Sequence, residues 1–113
     1  NKFLNAQNLA QLAKDTSFIA IMAVGMAFVI IAGGIDLSVG SIYALASVAG
    51  ALVFNHFGPE GAAQAPPLIA LLLGAGACLG TAALCGLFNG GLIVALRVHP
   101  FIITLGAMAI LRG

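Results

Sequence analysis

The chain has 113 residues, of which 62% are hydrophobic and only 6% charged, with four basic and three acidic residues and a net charge of +1. Soluble domains carry about 25% charged residues, so this composition and a mean hydropathy of +1.17 exclude an ordinary water-soluble surface. Lys2, Lys14, Arg97 and Arg112 are scattered, which leaves no electrostatic footprint for nucleic acid and no polybasic patch for lipid headgroups.

Asn1 to Asp15 form the one amphipathic stretch. Phe3, Leu4, Leu9, Leu12 and Ala13 can share a helical face opposite Asn8, Gln11 and Lys14, which predicts an interfacial helix over residues 1–15. A charge-free run follows over 17–34, about 27 Å as helix and just sufficient for the hydrocarbon core. No cleavage site for a leader peptide is visible near it. A second span is expected over 41–57.

"NHFGPEGAAQAPP", Asn55 to Pro67, is a polar loop whose Gly-Pro and paired prolines stop one helix and delay the next. The third span, 68–96, belongs to an apolar stretch of roughly 45 Å as helix. That exceeds one membrane thickness, so "GLFNGG" at Gly86 to Gly91 is the expected bend, break or exit point. Arg97, His99 and Pro100 mark a boundary, and residues 100–113 open a further span, with proline at a tolerated first-turn position. The expected fold is an all-α, polytopic transmembrane bundle of about three spans and the start of a fourth. With no initial methionine and an end inside an apolar run, it reads as an internal piece of one longer transmembrane domain.

Within this pattern "GGIDLSVGS", Gly33 to Ser41, stands out because it sets a carboxylate, Asp36, between two apolar runs. An unpaired charge in hydrocarbon costs at least about 2.5 kcal/mol. Three arrangements relieve that cost: Asp36 sits at the headgroup level between two spans, Asp36 or Ser38 caps the next helix, or Asp36 faces a water-filled path where two half-helices meet. Gly33, Gly34 and Gly40 permit the sharp turns that all three need. Asn89, in an apolar helix beside two glycines, is a candidate for an interhelical hydrogen bond or a path contact. Ser47, Thr81 and Thr104 are expected to bond back to their own helices. Gly76, Gly80, Gly86 and Gly90 form two GxxxG pairs suited to close helix packing. Cys78 and Cys85, about 10 Å apart on one helix, are too distant for a disulfide.

Nothing matches a nucleotide-binding loop, a CxxC or an HExxH motif, and three dispersed acids build no catalytic or metal site. The residues predict neither an enzyme nor a cofactor. Any energy for transport has to come from a gradient or a partner.

"AIMAVGMAFVIIAGGIDLSVGSIYALAS" (Ala20 to Ser47) and "GLFNGGLIVALRVHPFIITLGAMAILRG" (Gly86 to Gly113) resemble the permease subunits of bacterial ABC importers for monosaccharides of the ribose, xylose, arabinose and galactose type. The most specific elements are Gly34 to Gly40, Asn89-Gly90, and Pro100 to Gly106; His99 and Ala107 depart from the usual proline and threonine. The resemblance implies a multi-pass inner-membrane subunit forming a homodimeric pore. It also implies a periplasmic sugar-binding protein that delivers the solute and a cytoplasmic ATP-binding subunit that drives transport. Related permeases for branched-chain amino acids or nucleosides share the architecture. A gradient-driven transporter using Asp36, or a non-transporting assembly module, are readings from other classes. An alternating topology puts Arg97 inside, as the positive-inside tendency favours, but Lys2 and Lys14 outside.

Overall fold

A computed structural model describes residues 4–113. Four helices follow in order: α1 (Ala6–Ile31), α2 (Val39–Phe57), α3 (Pro67–Leu96) and α4 (Pro100–Arg112). No strand occurs among the described residues. The first three helices are long and apolar enough to cross a membrane, and α4 is shorter. Lipid offers the backbone no hydrogen-bonding partners, so apolar runs of this length close their N–H and C=O groups within helices.

The chain divides into two compact units, Asn1–Ile35 and Asp36–Gly113. In the first, α1 is a single helix of 26 residues, about 39 Å long. The expected interfacial helix over 1–15 and span over 17–34 thus share one uninterrupted helix; Lys2 and Phe3 lie outside the described residues. Near the anticipated junction Gln11 Nε2 donates to Asp15 Oδ1 (3.1 Å) and Ser17 Oγ donates to the Ala13 carbonyl (2.6 Å), so the polar side chains reinforce the helix. It ends in a Schellman arrangement, with Gly34 N–H donating to the Val29 carbonyl and Gly33 N–H to that of Ile30, both at 2.9 Å. Gly33 adopts φ +78, a left-handed conformation that glycine takes without a Cβ penalty.

In the second unit α2 and α3 form an antiparallel hairpin, and α4 packs on both. Their closest approach is at Gly50 and Gly74. A Cβ on Gly50 would lie 2.9 Å from the Gly74 carbonyl oxygen, and one on Gly74 would lie 3.1 Å from that of Gly50. Ala46, Gly50, Ala70 and Gly74 are buried, a pair of small residues four apart on each helix. By contrast, a Cβ on Gly76, Gly80, Gly86 or Gly90 meets nothing within 4 Å. Among the described residues, then, the closest backbone approach is at Gly50 and Gly74, and those four glycines face open space. Gly76 and Gly80 follow Gly74 by two and six residues, which turns them far around the helix from the contact stripe.

α3 runs as continuous helix through Gly86–Gly91, where a bend or break was anticipated. Glycine costs about 1 kcal/mol per residue within a helix in water, but breaking the ladder in lipid orphans several backbone groups at a larger cost. α3 ends instead at Arg97, which takes a left-handed φ of +52. His99 then caps α4, its Nδ1 accepting from Phe101 N–H at 3.4 Å, with Pro100 as the first helical residue.

Candidate functional site

The polar residues isolated in the sequence come together at the start of α2. Two residues before Ser38, the carboxylate of Asp36 folds over the backbone, and its Oδ1 accepts from Ser38 N–H at 2.7 Å. This is the local turn that aspartate favours. The same Oδ1 accepts from Ser38 Oγ at 2.6 Å, a length typical of a charge-assisted hydroxyl–carboxylate bond.

Ser38 is the N-cap residue of α2, yet its side chain makes no cap bond to that helix. Its only proton goes to Asp36, and its oxygen accepts from Asn89 Nδ2 at 3.0 Å. The result is a directional chain, Asn89 to Ser38 to Asp36, that ends on a negative charge. Such chains strengthen cooperatively in a low-dielectric interior. The Ser38 carbonyl is also engaged, accepting from Ile42 N–H at 2.9 Å and Ser41 Oγ at 2.8 Å.

Ser38 is fully buried and Asn89 nearly so, at 7% exposed, while Asp36 is half-buried. Among the described residues no buried side-chain polar atom is left without a partner. The helix crossing explains the meeting. From Gly50, twelve residues back along α2 lead to Ser38; from Gly74, fifteen residues on along α3 lead to Asn89. With α2 and α3 antiparallel, both arrive at the same end of the hairpin.

All three candidate residues, Asp36, Ser38 and Asn89, are therefore in one hydrogen-bonded group. Thr81 Oγ1 donates to the Ala77 carbonyl at 2.8 Å and Thr104 Oγ1 to that of Phe101 at 3.3 Å, both within their own helices. Cys78 and Cys85 are free thiols. No cluster of His, Cys, Asp or Glu able to hold a metal occurs among the described residues.

Two features escaped the sequence reading. The Gly50–Gly74 contact was carried by the pairs Ala46/Gly50 and Ala70/Gly74, which a chain with fifteen glycines does not distinguish from its other small-residue pairs. The second is a groove of about 590 Å³ between the first half of α2 and the last turn of α4, lined by Ser41, Ala44, Val48, Met108 and Arg112 among others.

The family model for the permease component of branched-chain amino acid transport systems matches residues 8–113. The chain is 42% identical over 113 residues to the inner membrane ABC transporter permease protein YjfF of Escherichia coli (strain K12), covering 98% of this chain and 30% of that protein. It is 35% identical over 106 residues to the fructose import permease protein FrcC of Rhizobium meliloti, covering 93% and 26%. With the autoinducer 2 import system permease protein LsrD of Escherichia coli (strain K12) it shares 37% over 112 residues, covering 99% and 31%. The chain thus spans less than a third of the length of each of these relatives. No solved structure matches.

Proposed function

The chain belongs to the permease-component family of branched-chain amino acid transport systems, and from that premise we propose that it is part of the membrane permease of an ATP-driven importer. It carries a monosaccharide inward across a bacterial inner membrane. The observation behind this reading is the 35–42% identity, over nearly the whole chain, to permeases named for import or as ABC subunits. Of those relatives, one is named for fructose and one for autoinducer 2, which supports a hydroxylated solute over an amino acid.

The partners follow from the chemistry. In this reading ATP hydrolysis belongs to an ATP-binding partner subunit, as expected for a chain of the permease-component family. A periplasmic binding protein delivers the sugar, and a second permease copy completes the pore. In this reading the first two turns of α1 lie among the headgroups, and the open glycine faces of α3 meet other helices of the assembly. The Asp36–Ser38–Asn89 chain holds the entrance of α2 against α3, so that the path wall keeps its shape through the transport cycle.

The test uses the intact transporter extracted gently from its membrane. An ATP-binding subunit should co-purify, and sugar-loaded binding protein should stimulate its hydrolysis. Absence of any such subunit under several mild detergents, together with uptake that follows an ion gradient, would overturn the proposal.

A further inference from the structure

α2 and α3 are fastened at three levels. At the crossing each helix leaves a notch that the other fills. A Cβ on Gly50 would lie 3.0 Å from Cys78 Cβ, and one on Gly74 would lie 3.1 Å from Phe54 Cβ. Phe54 and Cys78 each follow their own helix's glycine by one turn, so the fit is reciprocal. A slide of one turn, about 5.4 Å, would set Ala46 or Phe54 against the Gly74 carbonyl. That oxygen is only 2.9 Å from where a methyl on Gly50 would stand, so the neighbouring registers are closed to both.

The second fastening lies about 18 Å from the crossing along α2, where Asn89 Nδ2 donates to the fully buried Ser38 Oγ at 3.0 Å. The third lies about 10 Å from Gly50 in the other direction, at the last turn of α2. There the connecting segment is pinned to the helix end. Gly58 N–H donates to the Phe54 carbonyl at 2.7 Å, Ala63 N–H to that of His56 at 3.1 Å, and Ala65 N–H to that of Phe57 at 3.0 Å. Gly61 is pressed against the Asn55 and His56 carbonyls, with no room for a Cβ. Pro66 alone separates Ala65 from α3, and its ring fixes φ. Rocking about the crossing is therefore opposed at both ends. A tilt of about ten degrees moves Ser38 by roughly 3 Å on its 18 Å arm, well past hydrogen-bonding distance from Asn89. Buried groups parted in this way lose their partners at full cost.

We infer that α2 and α3 form one rigid body in the transport cycle. The Gly50–Gly74 crossing sets its register, and the Ser38–Asn89 bond and the segment 58–65 close its two ends. Packed helices move by sliding or by hinging, and this pair has neither a neighbouring register to slide into nor a free end to swing. Changes in the shape of the path are taken up outside the hairpin. The inference rests on the transport reading above and goes beyond it by naming a part that does not deform.

The experiment uses the intact transporter in membrane vesicles. ATP-driven sugar uptake by the unsubstituted protein comes first, because its absence overturns the transport reading and this inference with it. Every later outcome bears on the hairpin alone. Gly50→Cys in a Cys85→Ala background lets an oxidant join residue 50 to the native Cys78. A disulfide sets the two Cβ atoms about 3.8 Å apart, so the helices part only slightly to accept it. Uptake of the oxidised form should stay within about twofold of the reduced form. A larger loss that reductant reverses means that α2 slides on α3, and overturns the inference. A second measurement reads tilt and decides the matter if Gly50→Cys fails to accumulate or to oxidise. Spin labels are placed at the exposed pairs Leu45 and Leu84, and Leu52 and Leu71, in Cys78→Ala, Cys85→Ala protein that retains uptake. Their separations, with labelled copies diluted among unlabelled ones, are compared with and without ATP and sugar-loaded binding protein. Both should hold within about 2 Å in all states. A larger shift in either pair overturns the inference while leaving the transport reading intact.

Discussion

Asn89 Nδ2 lies 3.0 Å from Ser38 Oγ although the two residues are 51 positions apart. Ser38 Oγ in turn donates to Asp36 Oδ1 at 2.6 Å, so the α3 amide and the Asp36 carboxylate are joined through one buried hydroxyl. This link ties α2 to α3 at the end remote from their connecting loop.

The direct α2–α3 bond should be modest in energy. Hydrogen bonds between membrane helices average about 0.6 kcal/mol and reach about 1.7, because the unfolded chain in the membrane also finds partners. A double-mutant cycle of Ser38→Ala and Asn89→Ala, read by denaturant unfolding in micelles, should give a coupling of about 0.5–1.5 kcal/mol. A coupling indistinguishable from zero would remove the link from the account of the site.

Replacing Asp36 separates charge from geometry. Asp36→Asn retains an oxygen able to accept from Ser38 N–H and Oγ, so folded protein in the membrane should stay close to the parent. Asp36→Leu leaves both donors of a fully buried serine without that acceptor, at about 1–3 kcal/mol for each orphaned group, and abundance should fall. Equal abundance of the two variants would contradict the geometry described for Asp36.

At the helix crossing, size is decisive. Gly50→Ala puts a methyl 2.9 Å from the Gly74 carbonyl oxygen and 3.0 Å from Cys78 Cβ, so the backbones must separate. Overpacking of this kind costs about 1–3 kcal/mol. Gly76→Ala and Gly80→Ala, facing open space, should be neutral or stabilising by up to about 1 kcal/mol in this unit. Thermal unfolding of the four-helix segment in detergent should rank Gly50→Ala below both.

Gly33 answers to backbone conformation alone. Its φ is +78 and a Cβ there would meet nothing within 4 Å, so Gly33→Ala should destabilise through the left-handed backbone alone, by about 1–2 kcal/mol. Gly33→Asn should recover part of the loss, since asparagine tolerates that region better. Helix content and melting temperature of the two variants check the order.

The sequence by itself determined that the chain is helical and membrane-spanning. Both follow from the length of apolar runs and the scarcity of charge, which are local properties. It also singled out Asp36, Ser38 and Asn89, since a polar side chain is conspicuous where almost nothing else is polar. Other features depended on how distant segments meet. α3 continues through Gly86–Gly91 because the demand for internal backbone hydrogen bonds in lipid outweighs glycine's weak helix propensity. Asn89 reaches Ser38 only because Gly50 and Gly74 set the crossing and its register, and no pattern within either helix specifies that pairing. A side chain's chemistry is written at its own position, but its neighbours and its depth are properties of helix packing, and the tertiary structure alone decides them.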